Sequence, residues 1–448
     1  MSSAPKNSSL KRSKLLWTIV SIVPLFFVVI PLTLGFVWYQ GESALDAQLE
    51  TLRAEGLPTT AKEINAFYVV ADGVRDTTGL WVNAIGAVQA ANLRTRAGDL
   101  PIVGTGSATV PEPGEPWADR DAARTFLDGL RIELQEIRKA AAAGGQVRFP
   151  VDFSAGIETL LPHTQESREI ARLLALDAYV SAHEGDTQQA FDDLRGIFAL
   201  SDALRGEPTL ISQLVRIAIH AVGCNAAARI MPHCAWSDVE LESLQKIAQA
   251  ARFKTDIARS LNGERATNLT ALDELGLGPL RQSNKREALQ VFKRSIEGFS
   301  GSWRETLDRQ REVTADLQTL SGNQFDRIRM MGVLLLTPAM EQIAVAGIRA
   351  ETRQKCLVAA LAVQRFRLQH GRLPESLSEV ESLIPAAEGS GEGALVDPMN
   401  GQPLRYKVTV DRILIYGVGD NQFDDGGDLD PEGQGQRQPL DFGVSMKK

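Results

Sequence analysis

The chain has 448 residues, 44% of them hydrophobic and 23% charged, with a formal net charge of -8. That length exceeds one typical domain, and the composition is that of a folded globular protein. The acidic balance argues against nucleic acid, because neutralising phosphates takes a basic surface, and five His and three Cys leave little material for a His- or Cys-based metal centre.

Leu15 to Gly41 carries no charged side chain. A bilayer core needs about 20 apolar helical residues, so the run predicts a transmembrane helix over 15–40. Lys6, Lys11, Arg12 and Lys14 precede it, and Glu42, Asp46 and Glu50 follow. The positive-inside rule then gives a cytoplasmic tail over 1–14 and an extracytoplasmic, periplasmic bulk. A cleavable signal has a shorter apolar core and a small-residue exit, whereas this one ends Phe36-Val37-Trp38-Tyr39-Gln40. The prediction is therefore an uncleaved single-pass anchor in the inner (cytoplasmic) membrane.

Residues 42–335 read as a helical extracytoplasmic domain. Leu127, Leu130, Leu134 and Ile137 make one buried stripe along a helix over Ala118 to Lys139. Leu100 to Pro116 is rich in Gly, Pro and Thr and reads as a surface loop. Ser167 to His183 is helical, with Ile170, Leu173, Leu174 and Ala178 on one side. The chain turns at Glu184-Gly185-Asp186, and Asp186 with Gln189 forms a capping-box-like start for a second stripe, Ala190, Leu194, Ile197 and Ser201. So short a turn implies an antiparallel hairpin of tetratricopeptide type, although no 34-residue period runs along the chain. Thr209 to Val222 is apolar on nearly every side (Leu210, Ile211, Leu214, Val215, Ile217, Ala218) and predicts the buried centre of the domain. Arg216 and His220, one turn apart, are either a binding pair or, more simply, a solvated or locally satisfied pair at that helix's rim. Helices are also predicted over Asp238 to Ala251 and Lys285 to Ile296, and Met330 to Leu336 as a core segment. Cys224 and Cys234 are either a disulfide or, more simply, two buried free thiols; Cys356 reads as a lone core residue.

Residues 336–448 read as a small α+β domain. A long helix from Ala339 to Gln369 carries Leu357, Ala360, Leu361, Gln364 and Leu368 on one face and stops at His370-Gly371. A short helical turn follows over Glu375 to Leu383, then a Gly/Glu-rich loop over Pro385 to Ala394. Asp397-Pro398-Met399-Asn400-Gly401 is a turn signal. Leu404, Tyr406, Val408 and Val410 alternate as a half-buried strand, and Ile413 to Val418 returns as its hairpin partner. Asp420, Asp424, Asp425, Asp428 and Asp430 then crowd one loop. Flexible carboxylates suit a hard cation with 6–8 oxygen ligands, and Gly426 and Gly427 allow the tight turn this requires. An EF-hand does not fit, because Gly426 as its sixth position puts Phe423 at the third. The five aspartates are the candidate calcium ligands, set against a solvated loop without an ion.

Three blocks in this order, "QHGRLP", "DPMNGQPLRY" and "ILIYGVGDNQFDDGGDLD", resemble the C-terminal domain of the type II secretion major pseudopilins, from Val358 to about Asp430. In pseudopilins the last block is a calcium-binding loop, which implies that role for the same five aspartates. The departure is the anchor, which lies over 300 residues upstream and lacks the pseudopilin processing signature. "ARLLALDAYVSAHEGDTQQAFDDL" followed by "GEPTLISQLVRIAIHA" is similar to a family of bacterial membrane-anchored helical proteins with a pseudopilin-like tail. That match bears on architecture and not on chemistry.

No Gly-x-Ser-x-Gly elbow, Walker loop or His-Glu-x-x-His helix is present. The sequence therefore favours a mainly α, membrane-anchored scaffold or protein-interaction module with a structural calcium-binding tail. The alternatives are an envelope hydrolase whose site between the two domains gathers His163, His220 or His233 with a carboxylate, and an accessory component of a type II secretion-like apparatus.

Overall fold

The computed structural model describes residues 42–106, 109–322, 324–336, 340–385, 393–429 and 440–448. The predicted span over 15–40 and Asp430 lie outside these residues. The described chain is mainly helical, with one small antiparallel sheet near its C-terminal end.

A helix over 42–54 (α1) leads in. It is followed by α2 (Ala61–Phe67), α3 (Thr78–Ala91), α4 (Leu93–Ala97), α5 (Arg120–Asp128) and α6 (Arg131–Ala143). The stripe Leu127, Leu130, Leu134 and Ile137 is buried as expected. The helix carrying it, however, is broken: Leu130 leaves helical dihedrals (φ -122°, ψ 20°) after Gly129, a weak helix former.

Next come α7 (Pro162–Glu184) and α8 (Thr187–Ala203), the predicted hairpin. The Asp186 carboxylate accepts from the Gln189 backbone N–H at 3.0 Å, which caps α8. Both predicted stripes are buried, packed on each other and on α9 (Leu210–Ile230).

Helix α9 is central but not in the way its composition implies. Ile211 and Leu214 are exposed, while Gln213, Arg216 and His220 are buried. Each of these three side chains has at least one specific partner. The Gln213 amide donates to the carbonyls of Leu204, Arg205 and Glu207, closing the turn between α8 and α9. Arg216 donates to Asp256 at 2.7 Å and lies over the Phe253 ring. The Arg216–His220 pair thus sits inside the protein rather than at the helix rim.

The chain continues through α10 (Asp238–Gln249), α11 (Phe253–Glu274), α12 (Arg281–Gly298), α13 (Trp303–Gly322), α14 (Gln324–Arg329) and α15 (Met331–Leu336) to the 31-residue α16 (Met340–His370). The first half of α16 joins the core of α11, α12 and α13 through Met340, Ile343, Ala344 and Ile348. Its second half joins the core of α7 to α10 and of the sheet through Leu357, Ala360, Leu361 and Phe366. Among the described residues two segments are long and apolar enough to cross a membrane by length and composition, Leu210–His233 and Met331–His370. Helix α9, which forms most of the first, packs against α7, α8, α11 and α16, as a core helix does.

Leu368 is exposed, but Gly371 (φ 69°) ends α16 as expected, its N–H returning to the Arg367 carbonyl at 2.8 Å. The predicted hairpin forms from β1 (Arg405–Val408) and β2 (Arg412–Val418), paired Tyr406 with Ile415 and Val408 with Ile413. A strand the sequence reading did not find, β3 (Asp441–Lys447), pairs with the other edge of β2, giving the order β1-β2-β3. Core contact goes mostly to β2 and β3, through Ile413, Ile415, Val444 and Met446. Val408 and Val410, expected on a half-buried face, are exposed.

Candidate functional site

The acidic loop leaves β2 and returns to β3, so its two ends are fixed by neighbouring strands. Gly426 and Gly427 both adopt left-handed dihedrals (φ 78° and 81°), the tight turn expected of them. The aspartates divide. Asp420 is forked by the Arg349 guanidinium of α16. Asp424 accepts from the Gly426 N–H at 2.9 Å, from the Tyr416 hydroxyl at 3.1 Å and from Arg405 Nε at 3.2 Å, and its carboxyl is held below the usual range, chiefly by the Gly426 N–H. Asp425 accepts from the Asn421 amide at 2.7 Å. The Asp428 carbonyl receives the backbone N–H groups of Leu440 and Asp441.

Among the described residues no three of the carboxylates, His or Cys side chains gather closely enough to hold a metal ion. Two of the four described aspartates are instead matched with arginines. One feature fits a cation. Asp441 is fully buried beneath the loop; its Oδ2 accepts from the N–H groups of Gly427 (2.9 Å) and Asp428 (3.3 Å), and its Oδ1 has no hydrogen-bond partner among the described residues. Burial pushes its carboxyl above the usual range, and a cation among the neighbouring oxygens would reverse that effect.

Asp397 of the predicted turn is fully buried as well. Its carboxylate accepts from the N–H groups of Met399 (3.0 Å) and Val418 (2.9 Å) and from Arg405 (3.0 Å), so one side chain fastens the turn to the end of β2. Sequence reading did not single out Asp441, Arg349 or Arg405. Asp441 lies on the strand that was missed, and the two arginines are brought in from β1 and α16.

Of the histidines named for a hydrolase, His163 and His233 each lie beside a carboxylate, whereas the His220 ring nitrogens meet a carbonyl and a thiol. His163 Nε2 lies 2.9 Å from Glu207 Oε2, its ring stacked on Phe149 at 4.4 Å, and both side chains are buried. His233 lies 3.8 Å from Glu112, whose carboxylate also takes Arg412 at 2.8 Å and Lys447 at 3.6 Å. That cluster ties the loop before α5 to β2 and β3.

His220 Nε2 donates to the Ala248 carbonyl at 3.1 Å, which leaves Nδ1 as the acceptor for the Cys224 thiol at 3.4 Å. The i, i+4 spacing of the two was visible in the sequence. A Cys–His contact suggests a nucleophile and its base, yet burial pushes His220 down to about 3 and Cys224 up to about 12. Both therefore stay neutral, and a protonated thiol is not a nucleophile. Cys224, Cys234 and Cys356 are all free, so the disulfide alternative is not formed.

No family model, curated protein or solved structure matches this chain.

Proposed function

We propose that the protein is a membrane-anchored extracytoplasmic scaffold or protein-interaction module whose C-terminal sheet is stiffened by calcium. The observation that carries this is the double role of α16, a buried member of both the helical core and the sheet's core. A sheet that shares its core with a helical body through α16 suits presentation of a surface more than opening of a catalytic cleft. Calcium binding is supported by the orphaned buried oxygen of Asp441 beside the loop of Asp424, Asp425 and Asp428. The long helix packed on an antiparallel sheet is consistent with the pseudopilin resemblance, and with it a place beside a secretion apparatus. The hydrolase reading draws on the buried His163–Glu207 pair and, more weakly, on His233 beside Glu112.

Affinity purification of the detergent-solubilised full-length protein, followed by mass spectrometry, tests the proposal. A reproducible stoichiometric partner is expected, and secretion components among the partners would favour the accessory reading. Repeated recovery of the protein alone would count against a scaffold. For the ion, the melting midpoint of the full-length protein should rise between chelator and millimolar calcium, because a ligand bound only by the native state stabilises it. An unchanged midpoint would remove calcium from the proposal.

A further inference from the structure

Helix α1 and the chain after it, through residue 57, lie beside α11 and α12 and leave between them a groove of about 440 Å³. Leu52, Leu57, Leu289 and Ile296 give it apolar walls. Arg265 also lines it and is only 3% exposed. Among the described residues its guanidinium makes one long hydrogen bond, Nη2 to the Pro58 carbonyl at 3.4 Å, and its buried Nε has no partner.

Among the described residues the other two buried arginines meet carboxylates directly, Arg216 meeting Asp256 (its Nε and Nη2 staying unpartnered) and Arg365 meeting Asp238, and the half-buried Arg138 meets Asp177 and Asp193. Arg265 does not. The exposed Glu55 reaches it only through its field, and burial pulls the Arg265 pKa down to about 10. A buried cation without a counter-ion is costly, which is why buried charges are normally paired. The remaining charges of the groove, Lys293 and Glu297, lie 3.9 Å apart, are both well exposed and largely offset each other in solvent. The groove thus joins apolar walls, with the uncharged polar side chains of Gln48, Thr51, Asn262 and Gln290 among them, to one buried guanidinium that only the distant field of the exposed Glu55 offsets, and a guanidinium fork matches a planar or tetrahedral oxyanion.

We propose that this groove binds an anionic amphiphile, its carboxylate or phosphate on Arg265 and its alkyl chain along Leu52, Leu57, Leu289 and Ile296. The inference goes beyond the scaffold reading and needs neither its partner nor its calcium.

The test is native mass spectrometry of the full-length protein in uncharged detergent, titrated with dodecanoate, dodecyl phosphate, dodecanol and inorganic phosphate. One equivalent of dodecanoate or dodecyl phosphate should be retained, and whichever binds more tightly identifies a fatty acid or a phosphate headgroup as the source. Arg265→Gln, which removes the charge, and Leu52→Trp, which fills the groove and leaves Arg265 in place, should each weaken binding at least tenfold. If Arg265→Gln does not fold, Leu52→Trp decides. Equal retention of dodecanol, equal affinity for inorganic phosphate, undiminished binding by the folded variants, or retention of no amphiphile would each overturn the proposal.

Discussion

His220 makes acid stability a quantitative probe of the interior. Its ring is buried between Phe198 and Phe253, which opposes protonation most strongly, and the fields of Arg216 and Arg353 oppose it further, outweighing the hydrogen bond to the Ala248 carbonyl, which favours it. In the unfolded chain the imidazole takes up a proton below its ordinary pKa of 6.5, whereas the native ring stays neutral down to about 3. Between those values the unfolded state binds more protons, so stability is lost as pH falls through 6.5 and the loss levels off near 3. From pH 7.5 to pH 5 this one residue favours unfolding about thirtyfold, or about 2 kcal/mol. Urea unfolding of the wild type and His220→Gln at the two pH values isolates the term. The variant will be less stable at both, having lost ring packing, but its drop in stability on acidification should be smaller by about 2 kcal/mol. Equal drops in the two proteins would show that the native imidazole is protonated or hydrated, and the buried neutral ring would have to be abandoned.

Two further outcomes follow from the packing. A Cβ at Gly263 of α11 would collide with the Pro208 carbonyl oxygen, so Gly263→Ala should cost about 1–3 kcal/mol by overpacking despite alanine's better helix propensity. A lower urea midpoint at unchanged slope is the expected readout, and an unchanged or raised midpoint would mean that the two segments do not touch. Cys224 and Cys356 are buried and Cys234 half-buried, with the thiols of Cys224 and Cys234 both pushed up to about 12. Without reductant at pH 8, Ellman's reagent should therefore titrate less than one thiol in the native protein and all three after denaturation. Recovery of a single thiol after denaturation would reveal a disulfide instead.

Local pattern was legible wherever one face of one element decided the outcome. The stripes of α7 and α8, the Asp186 cap, the Gly371 stop and the β1–β2 hairpin all depend on residues within a turn or two of each other. Alternation failed at Val408 and Val410 because the sheet buries β2 and β3 more than β1. Composition misjudged α9, where exposed Ile211 and Leu214 contrast with buried Arg216 and His220. What reversed the expectation was Asp256, on a helix 40 residues away, together with the aromatic rings of Phe198 and Phe253.

The amino-acid order alone settled that this chain is mainly helical and ends in a small antiparallel element, because periodicity, caps and turns act over a few residues. It also placed four of the described aspartates on one loop. Only the tertiary structure decided which charges meet. Arg349 reaches Asp420 across 71 positions of sequence, Asp441 arrives beneath Gly427 on a third strand, and Arg265 is buried beside α1 with no carboxylate in contact among the described residues. Electrostatic pairing depends on distance in space and on exclusion of water, and neither is written in the spacing of residues along the chain.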